Sequence, residues 1–136
     1  MEHTLPLAGR PITRLLVDHA LSLESWIQGN SAALIRIEVV FTLIDPDGRK
    51  NELHPDLAAS LAPILQLFGL QVENAIASSS GKLTMRFSEG WLLEVLPHPA
   101  YEAWEVAMED QSRFVCMPGG QVAVFRGANT DLSFPH

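Results

Sequence analysis

Residues 98–110, HPAYEAWEVAMED, place two carboxylates, Glu102 and Glu105, among His98, Tyr101 and Trp104. Two carboxylates in an aromatic setting could share general acid–base work, provided both reach one substrate. Strand alternation speaks against that. It puts Glu102, Trp104, Val106 and Met108 on one face and Tyr101, Ala103 and Glu105 on the other, so the two acids point to opposite sides. The segment therefore reads first as structure. Trp104 is expected to be a buried anchor, with Glu102 turned inward to accept hydrogen bonds and Glu105 the more exposed acid. A binding reading keeps Trp91, His98, Tyr101, Glu102, Trp104 and Glu105 as candidate contacts, around a cavity between helix and sheet near Trp91, Tyr101 and Trp104. No residue is assigned a catalytic role.

Other chemistries find less support. The five histidines do not form a metal pattern, and His98 with Glu102 falls short of the three protein ligands of a catalytic zinc. His19 lies on the apolar face of a predicted strand and reads as a hydrogen-bonded core histidine; His54 precedes Pro55 and reads as a helix-capping residue. SSSGKLT fails the phosphate-loop pattern, because Ile76 stands where its first glycine belongs and Leu83 follows Lys82. The glycine of DPDGRKNE comes too early for a calcium-binding loop. Cys116, the single cysteine, sits in an apolar strand where thiolate formation is disfavoured, and it permits no internal disulfide. No metal and no cofactor are expected.

The whole chain constrains these readings. With 136 residues it fits one domain, 1–136, whose last ten residues, 127–136, look irregular. Nine basic against sixteen acidic residues give a net charge of −7, which argues against nucleic acid and is compatible with a basic protein partner. MEHTLPLAGRPITR has no basic region followed by an apolar run, and no apolar stretch reaches the roughly 18 residues of a membrane span. The expected location is the cytoplasm, with no membrane partner.

Period two dominates the elements that must position these residues. ITRLLVDHALSLE (12–24) and AALIRIEVVFTLI (32–44) read as strands, separated by the turn formers QGNS (28–31). DPDG (45–48) turns the chain into a short third strand through RKNEL. Between His54 and Gly69 the spacing of Leu57, Leu61, Ile64, Leu65 and Phe68 predicts one principal helix at about 55–68, with Pro63 as a kink or restart near Ser60. Strands return in LQVENAIA, KLTMRF, WLLEVLP, the opening stretch, SRFVCM and QVAVF, with a two-residue connection at Glu89–Gly90. The predicted fold class is α+β: one antiparallel, curved or partly split sheet of about seven or eight strands, covered by one helix. Leu34 and Val40 on the polar face of the second strand, and an edge at the last strand, suggest a homodimer.

Glu89–Gly90, Tyr101-Glu102-Ala103-Trp104-Glu105 and Pro118-Gly119-Gly120 resemble a family of uncharacterised small bacterial proteins with the same order of strands and turns. The resemblance covers about residues 70–126. It departs at Ala107-Met108, where a glycine is more usual, and at Phe125, where tryptophan is common. It implies the fold and no activity. The leading functional reading is a non-enzymatic binding or protein-interaction domain, of which toxin-neutralising immunity proteins are one case. A small-molecule binder is the alternative. A hydrolase or isomerase using Glu102 or Glu105 as base has the least support.

Overall fold

The computed structural model describes residues 2–27 and 31–127. Part of the QGNS turn and the expected irregular tail, from residue 128 on, lie outside the described residues. Among the described residues, twelve strands form two six-stranded antiparallel sheets. In chain order they are β1 (His3–Thr4), β2 (Arg14–Val17), β3 (Leu21–Ile27), β4 (Ser31–Ile37), β5 (Phe41–Ile44) and β6 (Lys50–Leu53), followed by β7 (Val72–Ala77), β8 (Leu83–Phe87), β9 (Leu92–Val95), β10 (Trp104–Ala107), β11 (Arg113–Cys116) and β12 (Val122–Phe125). The first sheet runs β1-β7-β8-β9-β5-β6 and the second β12-β11-β10-β4-β3-β2. Inward residues of both, such as Leu43, Met85 and Leu93 of the first and Leu23, Ile35 and Trp104 of the second, belong to one core.

The antiparallel, hairpin-rich order with one principal helical segment is as expected; the single sheet of seven or eight strands is not. Two long predicted strands are each two short ones. Residues 12–24 break at Asp18–Ala20, where His19 takes φ +66° and the chain reverses from β2 into β3. Residues 32–44 break at Glu38–Val40, where the chain leaves the second sheet for the first. The alternation gives no sign of that corner. Ala33, Ile35 and Ile37 before it and Phe41 and Leu43 after it are all buried, because both sheets face the same core. His19 is consequently no core residue: its side chain is 91% exposed, 3.9 Å from the Asp56 carboxylate.

The helix is also of another kind. Ala58–Leu67 is a 3-10 helix with Pro63 inside it, and its buried residues are Leu61, Ile64 and Leu67. A spacing of three matches three residues per turn and selects this geometry over the α form. Leu57, Leu65 and Phe68, assigned to the inner face by the 3.6-residue reading, are exposed. His54 does not cap the helix: Leu57 is the N-cap and makes no side-chain cap bond. Instead the Ser60 hydroxyl accepts the His54 N–H at 2.9 Å.

The turns follow their chemistry more closely. The Asp45 carboxylate accepts the N–H groups of Asp47 and Arg49, both at 2.9 Å, and closes the β5–β6 hairpin. Glu89 and Gly90 both have positive φ, 65° and 88°. Phe87 N–H bonds the Trp91 carbonyl at 2.9 Å, so the connection is the three residues Ser88–Gly90 and not two.

Candidate functional site

β10 lies inside the second sheet between β4 and β11 and carries Trp104 into the core, where it is 1% exposed. Its indole Nε1 donates to the Gly81 carbonyl at 2.9 Å, and the Cys116 thiol reaches the same oxygen at 3.4 Å. The two glutamates reverse their expected roles. Glu102 is exposed, because β10 begins at Trp104 and strand alternation cannot be extended back through the irregular residues before it. Glu105 is the more buried acid; it accepts a hydrogen bond from Arg113 Nε at 2.7 Å. That bond, followed by the Glu105 charge, holds the Arg113 guanidinium above its ordinary pKa, and the same group lies 5.6 Å from the Phe125 ring centroid.

His98 and Tyr101 stay together. Their ring centroids are 4.8 Å apart, and His98 Nδ1 accepts the Ala100 N–H at 3.0 Å. Both line a solvent-open cleft of about 500 Å³. Three connections build it. Glu38–Val40 join β4 to β5 and Leu96–Tyr101 lie between β9 and β10, both crossing between the sheets, while His54–Leu57 lead from β6 into the 3-10 helix. Its most exposed apolar side chains are Val40, Leu57, Leu96 and Tyr101, at 44, 61, 62 and 64%. Of the six residues proposed from sequence, the structure brings His98 and Tyr101 into this cleft. Trp104 is in the core, Trp91 is half-buried against it, and neither Glu102 nor Glu105 lines the cleft.

Sequence reasoning missed His54, Leu57 and Leu96 as neighbours of that pair. A signal was present: His54-Pro55 and Pro97-His98-Pro99 are proline-flanked histidines at strand exits, and Leu96 is an apolar residue out of phase with Leu93 and Val95.

His54 Nε2 lies 3.3 Å from a Glu52 carboxylate oxygen, and among the described residues no group of three or more His, Cys, Asp or Glu side chains could hold a metal ion. Cys116 is fully buried, and desolvation pushes its thiol pKa up. In the native protein at pH 8, Cys116 is therefore expected to react with a disulfide reagent slower than in urea by on the order of 100-fold or more, since the thiolate is suppressed and access needs opening. Equal rates in both conditions, read by absorbance, would show the thiol to be accessible.

One family model matches residues 3–126, a span that contains all twelve strands and every wall of the cleft. The chain belongs to DUF6188, a family of unknown function. The DUF6188 match reaches well beyond residues 70–126 and takes in β1 to β6, so the first half of the chain is part of the same family unit. No curated protein and no solved structure matches the chain. None of its described helices is long and apolar enough to cross a membrane.

Proposed function

We propose that this DUF6188 chain is a single-domain, non-enzymatic binding protein whose partner occupies the cleft at Val40, Leu57, Leu96 and Tyr101. One observation carries the reading: these four apolar side chains, from three separate connections, converge on one opening and stay between 44 and 64% exposed. Singly exposed apolar residues are ordinary, whereas a contiguous group rimmed by polar residues marks an interaction surface. Neutralisation of a basic toxin by this acidic chain is one form of the reading, and a single cysteine, Cys116, suits a cytoplasmic setting. The cleft volume also falls in the range of small-molecule sites, which keeps a small ligand as the second reading.

A photo-crosslinking residue in place of Leu96, in cells of the source organism, is expected to give a discrete adduct that the same residue at exposed Gln71 does not give. Identical products from both positions would sink the proposal. Self-association is a separate proposal, carried by β12: it is the edge of the second sheet, and Val124 and Phe125 are each 48% exposed. A monomer mass by light scattering at high micromolar concentration would remove it.

A further inference from the structure

The cleft continues past Leu96. Val40 and Leu96 also wall a second depression, of about 380 Å³, on the outer face of the first sheet, together with Thr42, Glu52, Lys82 and Glu94. The two depressions have these walls in common and so adjoin, and together they make a groove-like stretch of surface from Tyr101 to β5, β6 and β9. Strand register gives its far floor an order. Thr42 on β5 pairs with Glu52 on β6 and with Glu94 on β9, so the two carboxylates flank a threonine across three strands. They stand two strand spacings apart, about 10 Å. The near end adds Glu38 and Asp56.

The charged walls are thus four carboxylates against one cation, Lys82, which is held 3.3 Å from Glu94. Arg36, outside the walls, lies 3.6 Å from Glu38, so with the histidines neutral and this cation counted the groove carries 2 − 4 = −2 on a chain of net charge −7. Phosphate-bearing polymers and anionic lipid surfaces are repelled by such a groove. Its apolar middle and its length exceed what a simple metal cation or amine would cover.

Resting on the cleft reading above, we infer that the groove binds an extended basic segment of a partner protein. An apolar side chain of that segment sits among Val40, Leu57, Leu96 and Tyr101. Its lysine or arginine side chains reach Glu52 and Glu94 on one side and Glu38 and Asp56 on the other. Glu52 is 70% exposed and Glu94 26%, so each ion pair adds modest affinity, while the summed field speeds encounter and rejects acidic segments. The apolar anchor supplies most of the affinity.

The test is titration of the ¹⁵N-labelled full chain with capped synthetic peptides, followed by amide chemical shifts. The probes are Arg-Leu-Arg-Phe-Arg, its glutamate and serine counterparts, and Arg-Gly-Arg-Gly-Arg. The expected result is saturable shifts at Thr42, Glu94, Leu96 and His98 with the first peptide alone. The pair Glu52→Gln and Glu94→Gln should weaken it about 3–10-fold, the size of two exposed ion pairs. A rise in ionic strength from about 0.05 to 0.3 M should weaken it further.

If the serine or glutamate peptide binds the same amides as tightly, the basic-segment inference is overturned and the cleft reading stands. If Arg-Gly-Arg-Gly-Arg binds as tightly, the apolar anchor is refuted and with it the inference. If shifts fall elsewhere and ignore Leu96→Ser, the cleft reading itself fails. Silence from every peptide overturns the inference, and the crosslink at Leu96 then decides the cleft reading independently.

Discussion

Trp104→Ala is expected to lower stability by about 3–5 kcal/mol, the range for truncating a large aromatic side chain in a packed core. Trp104 is 1% exposed, and its indole N–H bonds the Gly81 carbonyl at 2.9 Å. Truncation opens a cavity and leaves that oxygen with the weak thiol donor of Cys116 as its remaining partner. Trp104→Phe separates the two effects. It retains much of the volume and drops the N–H, at an expected cost of about 1–3 kcal/mol. At the next residue, Glu105→Gln should cost less than about 1 kcal/mol, because the Glu105–Arg113 pair is a surface one; the two side chains are 23 and 47% exposed. Urea unfolding of the three variants gives the ranking directly. A Trp104→Ala protein as stable as its parent, beside a crippled Glu105→Gln protein, would mean that the segment presents a surface and does not anchor the fold.

Gly120→Ala is the second change expected to do severe damage. Gly120 has φ +108°, and a Cβ there would lie 2.2 Å from the Ser80 carbonyl oxygen. Gly81 shows the reverse of the same contact, since its Cβ would meet the Gly120 oxygen at 2.4 Å. The Ser78–Gly81 and Pro118–Gly120 turns therefore touch backbone to backbone, above the carbonyl that holds Trp104. Strain of about 1–3 kcal/mol and overpacking of similar size combine to roughly 2–5 kcal/mol. Gly119 is the internal control: φ is +90°, yet nothing lies within 4 Å of its Cβ position. Gly119→Ala should cost only the backbone term, about 1–2 kcal/mol. Equal midpoints for the two alanine variants in urea would refute the close approach.

The fold was legible wherever a local cause acts alone. Hairpin turns at Asp45–Gly48 and Gly119–Gly120, the place though not the length of the turn at Glu89–Gly90, the inward set Leu83, Met85 and Phe87, and the burial of Trp104 follow from turn chemistry, period two and apolar area. What distinguishes two sheets from one left no mark on the pattern. A strand that crosses at Glu38–Val40 keeps its alternation when both sheets look onto one core, so only the tertiary structure decided the strand count. The same holds for the helix, where Leu61, Ile64 and Leu67 satisfy a spacing of three while Leu57 and Leu65 satisfy one near four; contact with the core selected the first.

The site divides likewise. His98 and Tyr101 are three residues apart and could be paired from the sequence. Their neighbours His54, Leu57 and Val40 come from two other connections, brought beside them only by the closure of both sheets. The sequence by itself determined an acidic, antiparallel, cysteine-poor chain anchored at Trp104, because composition, alternation and apolar area are properties of residues and their near neighbours. The tertiary structure decided that Glu102 faces water, that Glu105 pairs with Arg113, and that four apolar side chains from three connections share one opening. Those outcomes depend on where strands start and which distant connections meet, and no local spacing encodes either.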